Sequence, residues 1–107
     1  NEPSKKEKEN MKGFRTYEMA IEFHRACQGL KLAVHARDQF DRALLSIPLN
    51  LAEGAAKPTP RDRKKFYFIA LGSLREVQAV LALYGSTDLQ RKADGLAALL
   101  YRLCHSH

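Results

Sequence analysis

Apolar residues recur at the spacing of an α-helix almost without interruption from about residue 16 to the end of the chain. Turn and capping residues break this pattern at three places, near positions 36–38, 54–59 and 85–87. No segment shows the alternation of period two that a half-buried β-strand requires. Four helices with short connections are therefore predicted. An all-α, antiparallel up-down-up-down four-helix bundle buries their apolar faces most economically.

Capping residues predict where the helices begin and end. The first helix is predicted over Thr16–His35, and Asp38 is a suitable N-cap for the second. Thr59, followed by a proline, has the pattern of a third helix start, and Gly85 is predicted to end that helix. Thr87, with a glutamine three residues later, predicts a capping box for the fourth. The predicted core face of the first helix consists of Ala20, Phe23, Cys27, Leu30 and Val34.

The beginning of the chain differs from the rest in composition. Residues 1–10 hold no aromatic or branched aliphatic side chain, so residues 1–13 are predicted to be a disordered, charged leader. Residues 14–107 are long enough for one compact domain, the predicted bundle. No run of about 18–20 apolar residues is present, and the charged beginning does not resemble a secretion signal. A cytoplasmic protein without a membrane partner is expected.

The third predicted helix is apolar around most of its circumference. Residues 66–71 are all apolar, and a helix that is apolar on most sides is buried on most sides. Leu45, Leu49, Tyr101 and Cys104 also lie off the main apolar stripes of their helices. Two explanations remain open, namely homo-oligomerisation through this second face and a broad central helix within a monomer.

The chain carries an excess of positive charge, with 18 lysines and arginines against 12 aspartates and glutamates. In an antiparallel bundle, the start of the first helix, the second connection and the end of the fourth helix lie together, and we name this end the basic pole. Its predicted nucleic-acid-binding residues are Lys57, Arg61, Arg63, Lys64, Lys65, Arg15 and Arg102, with Lys12, His105 and His107 nearby.

The cations at 61–65 favour a functional explanation for this charge. They face the positive end of the third helix dipole, which is unfavourable by about 0.3–1 kcal/mol per charge at low salt. Free backbone N–H groups and cationic side chains together make a natural phosphate site, so RNA or DNA is the expected partner. A solvated charge run without a ligand is the open alternative.

Residue patterns for catalysis or metal binding are not evident. Glu53 and Glu76 must be considered for acid–base chemistry, but no metal-ligand spacing, phosphate-cradling glycine loop or nucleophile–histidine pairing accompanies them. Cys27 and Cys104 are expected to be core residues and not a disulfide. Gly72, unfavourable in mid-helix by about 1 kcal/mol relative to alanine, predicts a close helix crossing. We therefore expect no enzymatic activity, cofactor or metal.

Two motifs on the second and third helices are distinctive. Residues 46–54 read S-I-P-L-N-L-A-E-G, and residues 69–76 read I-A-L-G-S-L-R-E. Over about Phe14–Leu103 the chain resembles the bacterial four-helix-bundle family of 23S rRNA-intervening-sequence proteins. It departs from the family in having Ala20 where a tryptophan is usual and in its short first connection. The motif residues, expected to define fold and assembly, are Arg42, Ser46, Asn50, Glu53, Gly54, Gly72, Ser73 and Glu76.

The resemblance implies a bundle that often assembles as a homopentameric ring and has no established enzymatic activity. Related accessory proteins of diversity-generating retroelements bind nucleic acid and a reverse transcriptase. The leading hypothesis is a non-enzymatic, oligomeric bundle that binds the RNA or DNA backbone through the basic pole, without an aromatic platform for bases. The alternative is a protein-interaction scaffold that docks a partner protein, such as a reverse transcriptase, through apolar helix faces.

Overall fold

The computed structural model describes residues 1–106 and contains four helices, α1 Lys5–Ala26, α2 Val34–Ala55, α3 Pro60–Tyr84 and α4 Thr87–His105. The described residues form no strand. Each helix packs against two neighbours in the cyclic order α1, α2, α3, α4. This arrangement confirms the predicted all-α four-helix bundle, and its short connections make successive helices antiparallel.

The first helix begins within the segment predicted to be a disordered leader. The hydroxyl of Ser4 accepts a hydrogen bond from the N–H of Glu7 at 3.1 Å, and the Glu7 carboxylate accepts one from the N–H of Ser4 at 3.3 Å. This capping box starts α1 at Lys5, and Gly13 is already buried in the bundle. The capping signal lies in a stretch whose charged composition alone predicts disorder.

The first connection lies earlier than predicted, so the predicted bounds of the first two helices are wrong. Gly29 has a φ of +86°, which favours glycine and ends the helical path. Leu30 is partly buried and packs on the core from this connection, whereas Val34 is 90% exposed at the start of α2. Asp38 therefore lies inside α2 and is not its cap. The helical spacing of apolar residues continues from α1 through the connection into α2, so it does not show where α1 ends.

The ends of α3 follow the predicted signals. The hydroxyl of Thr59 accepts a hydrogen bond from the N–H of Asp62 at 3.2 Å. Gly85 ends the helix, and a Cβ on this residue would lie 2.6 Å from a side-chain carbon of Leu81. Thr59 and Gly85 are thus confirmed as the caps of α3. α3 is also long and apolar enough to cross a membrane by length and composition, and it packs against both α2 and α4.

The fourth helix is capped one residue earlier than predicted. Ser86, and not Thr87, accepts a hydrogen bond from the N–H of Leu89 at 3.1 Å. Serine and threonine are both good N-caps, so residue type alone does not decide between Ser86 and Thr87. The backbone of Ser86 is extended, as an N-cap requires, and Thr87 is already helical. The core-facing sides of α2, α3 and α4 are buried, whereas Ile69 and Tyr84, which share the apolar spacing of α3, are 51% and 44% exposed. The largest completely buried aliphatic and aromatic side chains are Phe40, Ile47, Leu51, Leu74, Leu81, Leu96 and Leu100.

The two cysteines are buried and free, as predicted. Cys27 packs in the core at the end of α1, and Cys104 packs in the core near the end of α4. Burial raises the pKa of each thiol from 9.0 to about 11, while Lys92 opposes this shift at Cys27 and Lys64 opposes it at Cys104. Both thiols are therefore neutral and unreactive near neutral pH.

Candidate nucleic-acid interface

All four helices contribute to a cleft of about 440 Å³ at the basic pole. The beginning of α1, the end of α2, the beginning of α3 and the end of α4 meet here because neighbouring helices are antiparallel. We name this cavity the pole cleft. Its lining includes Phe14, Tyr17, Ala55, Arg63, Lys64, Tyr67 and Leu103.

Gly54 sets the packing beneath the pole cleft. A Cβ on Gly54 would lie 2.8 Å from Cε1 of Tyr67 and 3.1 Å from the carbonyl oxygen of Arg63. Only a glycine lets α2 approach the backbone of α3 this closely. The contact holds the Tyr67 ring in the core, where burial raises the pKa of the hydroxyl, Arg63 lowers it and Glu9 raises it further. Tyr67 thus contributes a neutral phenol to the cleft.

Lys57, one of the predicted interface residues, forms an ion pair and a cation–π contact within the chain. Its Nζ lies 3.2 Å from Oε2 of Glu53, one turn back along the chain. The same ammonium lies 5.1 Å from the ring centroid of Phe66, at cation–π distance. These contacts reduce the charge that Lys57 can offer to a ligand.

Arg63 has a fixed position at the edge of the pole cleft. Its Nη1 donates a hydrogen bond of 2.9 Å to the carbonyl oxygen of Lys57, joining α3 to the preceding connection. The guanidinium keeps further donors, because it carries five N–H groups in total. Arg63 therefore combines a structural contact with unused anion-binding capacity.

Three other cations lie at the beginning of α3 without a compensating carboxylate. Within residues 1–106, no aspartate or glutamate oxygen lies within 4.0 Å of the charged nitrogens of Arg61, Lys64 or Lys65. Arg61 and Lys65 are exposed, whereas Lys64 is half-buried and lines the pole cleft. These three cations lie within five residues of one another, with Asp62 the acidic residue in the same turns, and so concentrate positive charge at the beginning of α3.

Two predicted residues lie away from this cluster. Arg15 is exposed on α1 and is not part of the cleft lining. Arg102 lines a separate shallow groove between α3 and α4, together with Arg75 and Tyr101. His105 is exposed at the end of α4, and His107 lies outside the described residues. The seven predicted interface residues thus divide among several surfaces of the pole.

The beginning of α3 offers fewer free N–H groups than a phosphate site at a helix terminus would use. Pro60 has no N–H, and the N–H of Asp62 donates to the hydroxyl of Thr59. The N–H of Arg63 donates to the carbonyl oxygen of Thr59 at 3.0 Å. Among these first residues of α3, only Arg61 retains an unused N–H, so the side chains must supply most anion contacts.

Four of the eight motif residues take part in hydrogen bonds within α2 or between α2 and α3. Ser73 donates a hydrogen bond of 2.7 Å to the hydroxyl of Ser46, and Nδ2 of Asn50 donates to both the carbonyl and the hydroxyl oxygen of Ser46 at 2.9 Å. Glu76 accepts a hydrogen bond of 3.4 Å from Gln39. Because all four side chains join neighbouring turns or helices, they have a structural role.

Two other motif residues, Arg42 and Gly72, are exposed and do not join α2 to α3. Arg42 is exposed on α2. Gly72 is exposed, and a Cβ there would meet no atom within 4 Å, so the predicted close crossing at this glycine is wrong. The close approach of α2 and α3 lies instead at Gly54. Within the described residues, no group of three histidine, cysteine, aspartate or glutamate side chains is arranged to hold a metal.

The sequence profile of the family described as 23S rRNA-intervening sequence protein matches residues 13–104. The chain belongs to this family. No curated protein and no solved structure matches the chain significantly. The matched range includes the motif residues and all seven predicted interface residues, whereas the first two turns of α1 precede it.

This family member also presents aromatic side chains at the basic pole, contrary to the sequence prediction. His105 stacks on Tyr101 with ring centroids 4.0 Å apart, and Phe68 meets His105 edge-on at 5.6 Å. Phe14 is 64% exposed and lines the pole cleft beside Tyr17. The spacing of Tyr101 and His105, four residues apart on α4, was an available signal for this cluster.

Proposed function

We propose that this 23S rRNA-intervening sequence protein is a non-enzymatic, oligomeric bundle that binds the phosphate backbone of RNA or DNA through the basic pole. The main support is the cluster of Arg61, Lys64 and Lys65, which has no carboxylate within 4.0 Å among the described residues. Such cations release counterions when they contact phosphates, which drives association without reading the base sequence.

A variant with these three residues changed to glutamine tests this proposal. Arg61→Gln, Lys64→Gln and Lys65→Gln together are expected to weaken binding to a double-stranded DNA fragment about tenfold or more at 0.1 M salt, because three phosphate contacts are lost. The matched control is Arg25→Gln, Lys31→Gln and Arg91→Gln at the opposite end of the bundle, with the same loss of charge. Fluorescence anisotropy measures both affinities.

The two triple variants separate a local site from a general effect of charge. Equal weakening by both would show that only net charge matters and would contradict binding at the basic pole. Circular dichroism checks that each variant keeps its helical content, which we expect because five of the six side chains are exposed and Lys64 is half-buried.

The oligomeric part of the proposal is supported by apolar side chains that the single chain leaves exposed. Leu45 and Leu49 on α2 and Phe68 and Ile69 on α3 are each about half exposed. α2 and α3 pack directly against each other, so apolar side chains are exposed on two adjacent helices. Self-association buries such surface and favours a closed symmetric assembly, a pentamer by resemblance to the family.

Light scattering tests the assembly. The parent is expected to show a multiple of the 12.1 kDa chain mass, and Leu49→Glu is expected to shift the mass towards the monomer, because a charge would be placed in an apolar contact. Val34→Glu, at a 90% exposed position on the same helix, is the control and is expected to leave the mass unchanged. A monomeric parent would contradict self-association.

The same exposed apolar side chains support the alternative function, docking of a partner protein such as a reverse transcriptase. An apolar interface depends little on ionic strength, whereas phosphate contacts weaken steeply with salt. Partner binding that is insensitive to salt and lost in Leu49→Glu would favour the scaffold. Binding that is lost in the basic-pole triple variant would favour the nucleic-acid function.

A further inference from the structure

The volume and the aromatic lining of the pole cleft are not needed for binding a phosphate backbone. Its volume of about 440 Å³ lies within the range of roughly 300–1,000 Å³ typical of small-molecule sites. Its lining is mostly apolar and includes the aromatic rings of Phe14, Tyr17 and Tyr67. A flat site for backbone phosphates needs neither enclosure nor aromatic rings.

Cations lie at the same cavity as these rings. Arg63 is held by the carbonyl oxygen of Lys57 and keeps further N–H donors, and Lys64 has no carboxylate within 4.0 Å among the described residues. From the α1 side, Asn10 adds an amide and Glu9 adds a carboxylate, whose negative charge opposes an anion placed beside it and favours the Arg63 and Lys64 side of the cleft for a phosphate. An apolar, aromatic cavity beside two cations suits a ligand with a flat aromatic part and an anionic part.

We propose that the pole cleft binds one unpaired nucleotide, with its base among the aromatic rings and its phosphate at Arg63 and Lys64. For the class of its ligand, this inference rests on the proposed function. Bases of a duplex are stacked inside the helix and cannot enter a cavity, whereas an unpaired base can stack on a protein ring. The cleft therefore adds a preference for single strands or strand ends to binding of the backbone.

The aromatic cluster of Phe68, Tyr101 and His105 is less suited to this role. Its rings already contact one another, at 4.0 and 5.6 Å between centroids. The nearby groove between α3 and α4 is shallow and contains the hydrogen bond of 2.9 Å from Gln78 to Asp94. The pole cleft is the more enclosed of the two aromatic surfaces.

Filling the cleft without changing its charge tests the inference. Ala55→Leu and, separately, Ala52→Leu place extra carbon atoms in the cleft from exposed positions on α2. Each is expected to weaken binding of a short single-stranded RNA about fivefold or more, because the base loses its stacking contact, and to leave duplex binding unchanged. Ala82→Leu, exposed on α3 and outside the cleft, is the matched control.

Titration with adenosine monophosphate tests whether the cleft binds a free nucleotide as well as one within a strand. Amide chemical shifts of Gly13, Ala55 and Tyr67 are expected to move with adenosine monophosphate and not with inorganic phosphate. Shifts at these residues in a protein that binds no nucleic acid would overturn the proposed function but support the cleft, with a free nucleotide as the ligand. Unchanged binding of single-stranded RNA in both filled variants, together with no shifts, would overturn the cleft and leave the backbone proposal intact.

Discussion

Gly54 and Gly72 are both glycines within helices, but their surroundings give them opposite roles. Gly54 lies where α2 meets the backbone of α3, and a Cβ would lie 3.1 Å from the carbonyl oxygen of Arg63. Gly72 faces open space on α3. The contact beneath the pole cleft therefore depends on the first glycine and not on the second.

Substitution by alanine separates the two roles. Gly54→Ala is expected to lower the free energy of unfolding by about 1–3 kcal/mol, because the added carbon forces the helices apart. Gly72→Ala is expected to raise it by about 0.5–1 kcal/mol, because alanine favours the helix interior. Urea denaturation at one fixed protein concentration measures both. Stabilisation by Gly54→Ala would contradict the close approach.

The buried thiols give the stability of the fold a dependence on pH. The folded state raises the pKa of Cys27 and Cys104 from 9.0 to about 11, so it favours the neutral thiols. Their contribution is complete below pH 9 and is lost as the pH rises from 9 towards 11. The free energy of unfolding of the parent is expected to fall more over this interval than that of a Cys27→Ala, Cys104→Ala double variant. Equal slopes would contradict burial of the thiols.

At the scale of the helices, local signals predicted α3 better than α1. The caps of α3 involve neighbours in sequence, such as Thr59 and Asp62, so their residue types are informative. The connection after α1 contains Gly29 with a positive φ. Apolar residues keep the helical spacing on both sides of this glycine, so the spacing alone predicted a longer first helix. Four segments that are distant in sequence form the pole cleft. The antiparallel arrangement of the helices predicted which cations lie at this end of the bundle. It did not predict that a cavity forms there or that aromatic side chains line it.

The contact between α2 and α3 through their serines makes a separate prediction. Ser73→Ala removes the hydrogen bond of 2.7 Å between the hydroxyl groups and is expected to lower the free energy of unfolding by about 1 kcal/mol. Ser46→Ala removes this bond and also the bond of 2.9 Å from Asn50 to the Ser46 hydroxyl, so its effect is expected to be larger. A double-mutant cycle is expected to show a coupling of about 0.5–1 kcal/mol, because both changes remove the same bond. Additive effects would contradict a direct interaction.

At the scale of the whole molecule, the proposed nucleic-acid binding and assembly depend on where the fold places charge and apolar surface. The fold gathers cations that it does not neutralise at the beginning of α3, and it leaves apolar side chains exposed on α2 and α3. If several chains assemble, each adds another basic pole to the same particle. Linked sites of this kind bind an extended anion more tightly than a single site does.

The most direct test is the dependence of nucleic-acid binding on salt. The logarithm of the affinity for a double-stranded DNA fragment is plotted against the logarithm of the salt concentration for the parent and for both triple variants. Each lost phosphate contact lowers the steepness of this line by about 0.9. The line is expected to flatten by about two to three for the Arg61, Lys64 and Lys65 variant and to remain parallel to the parent for the Arg25, Lys31 and Arg91 variant. Parallel lines for all three proteins would contradict phosphate binding at the basic pole.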